Sequence, residues 1–276
     1  MSIINNYCIT HKYFDYLNNL KLNVIVGGAQ LRDISEIPVN WFKDNSGDNI
    51  SFKNKSFGTL TSHYWVWKNQ LDKHNENDWI AFSHYRRLWI KKDNQNEINL
   101  DNLNENLLLS IPKGTNFDVL LPKKIELRNL KFSKLLKKGF RNYIFNPLIF
   151  FKRKKYSIKL HFDLFHEYDI LEKSAKFLEV EDKEDFKNYI NKNNSFHQFE
   201  MFITTKKHMN LLYEKTFKWI FICEKEFSDV RLEGYGKERL YNFLAERFFS
   251  YYFEKYTKTK TWPYMFISND LINKKF

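Results

Sequence analysis

The chain has 276 residues and a formal net charge of +12 at pH 7, and 43% of its residues are hydrophobic and 18% aromatic. This apolar content excludes an intrinsically disordered chain, and the length predicts a single large α/β domain over residues 1–276. The cysteines, Cys8 and Cys223, stand far apart, so neither a disulfide framework nor a paired-cysteine zinc site is expected.

The charge balance favours an anionic partner. Lys and Arg number 45 against 33 Asp and Glu, which fits nucleic acid, acidic lipid or a phosphorylated substrate, and charge alone does not choose among them. The N-terminal residues lack a signal-peptide pattern, and no apolar run reaches the ~18 residues that a spanning helix needs. We therefore expect a cytoplasmic protein in a reducing compartment.

Predicted strands and helices alternate along the chain, which is typical of an α/β sandwich with a largely parallel sheet. A Gly27-Gly28 turn follows the second strand, and a polar loop over residues 44–54 leads into the first long helix. The predicted strands are residues 7–10, 22–26, 78–83, 117–121 and 201–205. The predicted helices are residues 60–71, 163–179, 183–191, 208–226 and 237–256.

The segment from Lys123 to Lys159 is the most biased part of the chain, because basic residues interleave with Phe, Leu and Ile and Glu126 is its one acid. Its core, at about residues 128–159, is predicted to be an insert within the domain. Three interpretations stay open: a solvated basic excursion, an amphipathic segment lying on anionic lipid, or a nucleic-acid contact.

A polar cluster, His84-Tyr85-Arg86-Arg87, directly follows the predicted strand that ends at Ser83. Ligands of open α/β sheets bind outside the carboxyl ends of the strands, so this position favours a site. Two adjacent guanidinium groups can clamp a diphosphate through charge-assisted hydrogen bonds. The alternative is that both arginines pair with surface carboxylates.

Three further groups are candidates with equally open alternatives. The loop Asn45–Ser51 suits hydrogen bonding to a polar ligand but is also ordinary turn chemistry. The helix after it carries Trp65, Trp67, Lys68 and Asn69, and its tryptophans are either stacking platforms or core. On the last helix a polar stripe forms either a site wall or an internal ion-pair network; it consists of Arg239, Asn242, Glu246 and Arg247. His197 and Glu200 precede a predicted strand, where a base could be presented.

Several motifs are missing from the sequence. It contains no Asp-x-Asp and no HExxH, and it lacks GxGxxG, a Walker loop and a GxSxG nucleophile elbow. A dedicated divalent-metal site is therefore not expected.

In order and spacing, the chain resembles a bacterial family catalogued as a domain of unknown function and since associated with glycosyltransferases of capsule and O-antigen synthesis, including galactofuranosyltransferase modules. The resemblance covers nearly the whole chain, least well at about residues 128–159. The matching segments are ITHK at 9–12, VGGAQ at 26–30, GDNISFKN at 47–54, LTSHYWVWKN at 60–69, HYRR at 84–87, LLP at 120–122, NSFHQFEMFI at 194–203 and ERLYNFLAERF at 238–248.

The resemblance implies a glycosyltransferase-A-like, Rossmann-related fold with a mixed, mostly parallel sheet flanked by helices. It also implies transfer of a sugar, first choice galactofuranose, from a UDP-sugar to an undecaprenyl-diphosphate-linked glycan at the inner face of the membrane, without a cofactor. Under this hypothesis the leaving group is bound by Arg86 and Arg87 with Arg239 or Arg247. The remaining donor contacts are Thr10, His11, Asp48, Asn49, His84, Tyr85 and His197. The sugar or acceptor wall is Tyr64, Trp67 and Lys68.

Transfer with inversion needs a carboxylate that accepts the acceptor proton. Glu200 is the first candidate for this base, followed by Asp229 and Glu246. Two rival classes of function remain: a nonenzymatic basic module that binds nucleic acid or acidic glycan, and a nucleotidyl- or phosphotransferase that uses the same diphosphate clamp.

Overall fold

The computed structural model describes residues 1–127 and 156–273. Its contacts divide into two compact units. The first unit consists of Met1–Lys123, Glu200–Leu211 and the chain from Tyr256, and the second consists of the described parts of Lys124–Phe199 together with Leu212–Lys255. This division concerns contacts alone, so the single domain over residues 1–276 stays a prediction. Most of the predicted insert, residues 128–155, lies outside the described residues.

Strands and helices alternate over the described residues. The strands are β1 (Ser2–Thr10), β2 (Asn23–Val26), β3 (Phe42–Lys43), β4 (Trp79–His84), β5 (Arg87–Trp89), β6 (Ser110–Ile111), β7 (Val119–Leu121), β8 (Ile125–Glu126), β9 (Ser195–Phe196), β10 (Phe202–Thr205), β11 (Thr259–Thr261) and β12 (Tyr264–Phe266). The helices are α1 (Asn54–Phe57), α2 (Leu60–Asn69), α3 (Leu103–Asn106), α4 (Ile158–Phe165), α5 (Ile170–Ser174), α6 (Val180–Lys192), α7 (Lys206–Glu226), α8 (Tyr235–Glu238), α9 (Leu240–Tyr256) and α10 (Asn269–Asn273). None of the helices described is long and apolar enough to span a bilayer.

The first unit is built on a sheet with the strand order β11-β7-β10-β4-β1-β2-β3. Four of the six neighbouring pairs in this order are parallel: β11 with β7, β4 with β1, β1 with β2 and β2 with β3. On the same sheet β5 pairs with β4 and with β12, and β6 pairs with β1. The predicted mixed, mostly parallel sheet flanked by helices is therefore confirmed.

Parallel pairing brings the carboxyl ends of β1 to β4 to one side of the sheet, the carboxyl edge, defined here by Thr10, Val26, Lys43 and His84. Strand β10 is antiparallel to β4, so its amino end lies at this same edge. All six residues of β4 are buried, which is why its sequence reads as a continuous apolar run rather than an alternation.

The second unit is mainly helical and contains the two-stranded sheet β8-β9. Its core includes an aromatic cluster in which the rings of Trp219 and Phe248 are 5.1 Å apart and those of Phe186 and Phe248 are 5.8 Å apart. The predicted continuous helix over residues 163–179 is wrong, because the chain leaves the helix at His166. Asp169 then adopts a left-handed φ of 62°, and its N–H donates to the Asp163 carboxylate at 2.9 Å.

A buried carboxylate fixes the turn at the end of β2. Asp44 is fully buried and accepts hydrogen bonds from the N–H groups of Gly28 and Ala29 at 2.8 and 2.9 Å. The hydroxyls of Ser51 and Thr61 each donate to it at 2.6 Å. One side chain thus joins the β2 turn, the loop after β3 and the first turn of α2.

The turn at Gly28 also requires a residue that has no side chain. Its φ is 65°, and a Cβ at this position would lie 2.4 Å from Cγ of Asn54. Asn54 in turn donates through Nδ2 to the Gly58 carbonyl at 2.7 Å and to the Thr61 hydroxyl at 3.0 Å. The glycine is therefore set by both backbone conformation and space.

Replacement of Asp44 by Ala should lower the free energy of unfolding by about 3 kcal/mol or more, because it leaves buried donors without an acceptor. Urea denaturation monitored by tryptophan fluorescence measures this. Asp33→Ala is the matched control: Asp33 is exposed and caps the Ser35 N–H, so its loss should leave stability nearly unchanged. Equal stability of the Asp44 and Asp33 variants would contradict the role given to Asp44.

Candidate functional site

The HYRR motif forms a tight turn at the carboxyl edge. His84, the last residue of β4, pairs with Arg87, the first residue of β5, so Tyr85 and Arg86 form the tip. The Tyr85 N–H donates to the Ile9 carbonyl at 3.0 Å, which ties this tip to β1. The structure places this polar cluster at the carboxyl end of the buried strand β4, with His84 inside the strand.

Both arginines of the turn are held against the last residue of β12, Phe266, and the residue that follows it. Arg86 donates through Nε to the Ile267 carbonyl at 2.9 Å, and the guanidinium carbons of Arg86 and Arg87 lie 4.8 and 5.3 Å from the Phe266 ring centroid. Burial lowers the pKa of Arg87, as does the neighbouring Arg86, while Tyr264 raises it. Within residues 1–127 and 156–273, Arg86 makes no ion pair with a carboxylate. Its positive charge is therefore available to an anion.

Aromatic rings surround the tip of the turn. Phe14 stacks on Tyr85 with centroids 4.6 Å apart, and His11 meets the edge of Tyr85 at 5.0 Å. The Tyr16 hydroxyl donates to the Tyr85 carbonyl. Thr10 donates to the Lys12 carbonyl at 2.8 Å and orders the chain beyond β1. The structure thus brings the predicted donor residues Thr10, His11 and Tyr85 together; Phe14 was missed, because a lone Phe in a loop carries no sequence signal.

Glu200 lies at the same edge. Strand β10 starts two residues later with Phe202 opposite Phe82, which places Glu200 level with the end of β4. Its carboxylate is 6% exposed and accepts a hydrogen bond from the Thr59 hydroxyl at 3.1 Å. Glu200 and the preceding Phe199 both have positive φ, 48° and 80°. Consecutive left-handed non-glycine residues cost energy and cluster at functional sites.

A buried histidine backs this edge and was not predicted from the sequence. His63 on α2 stacks on Phe82 with ring centroids 3.9 Å apart. Burial lowers the pKa of His63 well below its usual value, and nearby His84 lowers it further. His63 is therefore neutral at pH 7. The sequence signal was only its place in LTSHYWVWKN, which is also compatible with a core helix.

The predicted site residues Asp48 and Asn49 make hydrogen bonds within their own loop and to helix α2. Asp48 accepts a hydrogen bond from the Tyr64 hydroxyl at 3.1 Å, and its backbone N–H donates to the Asn69 side chain at 3.2 Å. Asn49 donates to the Gly47 carbonyl at 2.9 Å. Asp48 is nevertheless exposed, so a ligand contact is sterically open.

The predicted sugar wall lies along α2 rather than at the HYRR turn. Lys68 is 3.7 Å from the Trp67 ring centroid, and the Trp67 indole N–H donates to Asn210 at 2.8 Å. Helix α2 begins at the carboxyl edge, where Thr59 contacts Glu200. At ~1.5 Å per residue, Trp67 and Lys68 lie more than two turns, ~12 Å, further along the helix. The structure does not bring them to the turn.

The remaining candidates belong to the second unit. Asp229 is exposed in a loop, Arg239 is partly exposed after α8, and the His197 N–H donates to the Ser250 hydroxyl at 2.9 Å. Glu246 accepts from the Phe199 N–H at 2.7 Å and from Arg247 Nη1 at 2.5 Å.

Arg247 is the centre of a buried cluster. It is 2% exposed, and its guanidinium carbon lies 4.6 Å from the centroid of the Phe196 ring. Nη2 lies 3.3 Å from both His161 Nδ1 and His166 Nε2. Burial lowers the pKa of His161 well below its usual value, and the charge of Arg247 adds to this. The neutral His161 imidazole can thus accept a hydrogen bond from this guanidinium.

Three neighbouring carboxylates in the second unit form ion pairs with one lysine, Lys215. Oxygens of Glu179, Glu181 and Asp182 lie within 4.8 Å of one another. The Lys215 ammonium contacts them at 2.5, 2.7 and 3.1 Å respectively. Burial alone would lower the pKa of Lys215, but the hydrogen bonds to these carboxylates outweigh it and raise that pKa. The geometry is that of an ion-pair cluster.

A family model described as Domain of unknown function (DUF4422) matches residues 5–258. The chain belongs to the DUF4422 family. A search of curated proteins found no match. Among solved structures, this DUF4422 chain is similar to the WbbM bifunctional glycosyltransferase in its apo form, with a TM-score of 0.56 and 22% sequence identity.

The likeness covers 97% of this chain and 46% of the WbbM chain, so the DUF4422 protein spans less than half the length of that enzyme. At this identity the likeness establishes the fold. The predicted α/β, glycosyltransferase-A-like fold is therefore confirmed, and the carboxyl edge is the place where such a sheet binds its ligand.

Replacement of Glu200 by Gly and by Ala should separate backbone strain from loss of the carboxylate. Both variants lose the contact with Thr59, but only Ala keeps a Cβ in the left-handed conformation. We expect Glu200→Gly to be more stable than Glu200→Ala by about 1 kcal/mol in urea denaturation. Glu184, exposed within α6, provides the control: there Gly should be less stable than Ala by about 1 kcal/mol. If the stability difference between the Gly and Ala variants had the same sign at Glu200 and Glu184, backbone strain at Glu200 would be contradicted.

Proposed function

We propose that this DUF4422 protein is a glycosyltransferase that takes a sugar from a UDP-sugar, with UDP-galactofuranose as the first choice, and adds it to a lipid-linked surface polysaccharide. The observation that carries the proposal is the carboxyl edge, where the Arg86-Arg87 turn and the Glu200 carboxylate lie on a sheet whose fold matches that of WbbM. The donor, the acceptor and the role of each residue are parts of the proposal.

The arginine turn is suited to the leaving group. When the bond between the anomeric carbon and the phosphate oxygen breaks, negative charge accumulates on the departing diphosphate. Arg86 has both terminal nitrogens remaining after its Nε bond to Ile267, and Arg87 carries a second positive charge next to it. Two guanidiniums held in advance can neutralise that charge without a divalent metal, which we propose is not used.

Glu200 is suited to be the base. In an inverting transfer the acceptor hydroxyl attacks the anomeric carbon, its proton passes to the carboxylate, and UDP leaves from the opposite face. The Thr59 hydroxyl binds one carboxylate oxygen of Glu200 and orients the group. Glu246 is a weaker candidate because Arg247 and the Phe199 N–H already occupy its oxygens. Asp229 stays a proposal of lower rank.

The nucleoside would lie beside Thr10, His11 and Tyr85, where stacked rings and a hydroxyl are close together. Asp48 and Asn49 would add contacts to the ribose or the sugar. His84 would line the diphosphate, while His197, Arg239 and Arg247 are proposed donor contacts of the second unit. Tyr64, Trp67 and Lys68 remain the proposed acceptor wall along α2.

Thermal-shift measurement with UDP, UDP-galactofuranose, UDP-galactopyranose and UDP-N-acetylglucosamine tests donor binding. We expect UDP-galactofuranose to raise the melting temperature most, and the increase to persist in EDTA. A ligand present at 100 times its Kd stabilises the native state by about 2.7 kcal/mol. Arg86→Ala and Arg87→Ala should each weaken UDP binding at least tenfold, and the double variant should lower turnover by about 10² or more.

Arg231→Ala is the matched control for these variants, because Arg231 is an exposed arginine paired with Glu233. It should retain the full UDP shift. Undiminished stabilisation by UDP in the Arg86/Arg87 double variant would contradict the proposed diphosphate clamp. A product that retains a donor phosphate would support a phosphotransferase instead, and salt-dependent DNA binding without any nucleotide shift would support a nucleic-acid module.

The acceptor proposal places the protein at the inner face of the cytoplasmic membrane, bound by the basic aromatic segment at about residues 128–159. Deletion of residues 128–155 should abolish sedimentation with vesicles containing phosphatidylglycerol while leaving the UDP-induced thermal shift intact. Neutral phosphatidylcholine vesicles should bind neither protein. Unchanged sedimentation after the deletion would exclude this segment as the membrane contact.

A further inference from the structure

A cavity of about 410 Å³ lies within the first unit. Its walls include the aromatic residues Phe117 and Trp262, the cation Lys260 and the polar residues Asn116 and Thr259. A volume of this size, mostly apolar walls and a few polar groups are typical of a small-molecule site. None of these residues takes part in the proposed transfer.

Part of the wall of this cavity lies at the edge of the sheet opposite to the arginine turn. Ser110 and Ile111, which also line it, pair with Ile3 and Ser2 at the start of β1, whereas Thr10 ends β1 at the carboxyl edge. Phe117 likewise precedes β7, and β7 runs in the same direction as β4 because both are antiparallel to β10. At ~3.3 Å per residue, Ser2 and Thr10 are ~26 Å apart. The cavity shares no lining residue with the proposed transfer site.

The walls combine flat rings with one cation. Lys260 Nζ lies 5.4 Å from the ring centroids of both Phe117 and Trp262. The Trp262 indole N–H donates to the Ile90 carbonyl at 2.8 Å, which fixes the orientation of the ring. Lys260 is exposed on the edge strand β11, and no carboxylate among the described residues forms an ion pair with it. The cation therefore faces solvent beside two aromatic rings, of which the Trp262 ring is fixed by its hydrogen bond.

This chemistry matches a sugar that carries an anionic group. The C–H face of a pyranose ring packs on an aromatic ring, its hydroxyls bond to groups such as Thr259 and Asn116, and an ammonium attracts a carboxylate or phosphate. We propose that the cavity binds an anionic saccharide unit of the glycan under construction, at a distance from the reacting end. The choice of a glycan as occupant rests on the proposed function; the cavity itself does not.

Saturation-transfer NMR on the full chain with methyl β-glucuronide and methyl β-galactopyranoside as probes tests the inference. We expect the glucuronide to bind more tightly. Lys260→Ala should weaken glucuronide binding about tenfold, the size of one lost charge-assisted contact, and leave the galactoside unchanged. Lys258→Ala, an exposed lysine two residues earlier that does not line the cavity, should change neither.

Trp262→Ala should abolish binding of both glycosides, and Trp262→Phe, which keeps an aromatic face, should retain most of it. Because the indole also bonds to Ile90, the folded state of each variant is checked by its melting temperature, and Phe117→Leu provides a second test of the aromatic wall. Glycoside signals that persist in Trp262→Ala would overturn the proposal, as would glucuronide binding that is unchanged in Lys260→Ala. UDP-sugar turnover without glycoside binding would refute this inference alone, whereas glycoside binding without turnover would refute only the transfer reaction.

Discussion

The carboxylate of Asp44 is the interaction on which the carboxyl edge of this protein depends. It accepts two backbone N–H groups from the β2 turn and two hydroxyls, and it is fully buried. A buried charge is tolerated only when hydrogen bonds replace its lost hydration, and here those donors come from three separate segments. The same side chain that requires them therefore holds them in place. Through Thr61 it also fixes the start of α2, from which Thr59 reaches Glu200.

The arginine turn is the electrostatic counterpart of that buried anion. The four hydrogen bonds to Asp44 leave its carboxylate no lone pair for a metal or a ligand cation. Arg86, in contrast, keeps hydrogen-bond donors, and no carboxylate in the described residues forms an ion pair with it. With the Asp44 carboxylate saturated by hydrogen bonds and the Arg86 donors open, this part of the edge attracts anions. That asymmetry supports the proposal that this edge binds a diphosphate, independently of the missing Asp-x-Asp motif.

The sequence predicted the elements whose signal is local. A buried parallel strand such as β4 is a continuous apolar run, and HYRR directly after it marks the strand end. Asp44 could not be predicted as the organising residue, because three of its four partners stand 15 to 17 positions away and a polar residue in a polar loop has no distinctive pattern. The break in the helix at His166 was missed for a related reason: its sequence keeps good helical spacing, and the decisive contact, from Asp169 to Asp163, is a side-chain cap. The short strands β5, β11 and β12 have too few residues for a period to be visible.

The contrast between Arg86 and Arg247 separates a ligand group from a structural one. Arg247 is buried among phenylalanine rings, paired with Glu246, and bonded to two histidines; burial and the Arg247 charge hold the pKa of His161 well below its usual value. Its charge is already compensated, so a diphosphate there would have to displace Glu246 inside a packed core. Arg86 spends one nitrogen on a backbone carbonyl and keeps the others at the surface of a turn. Arg86 and Arg247 thus differ in what remains for a ligand, so Arg86 is the stronger candidate for the proposed phosphate contact and Arg247 the weaker one.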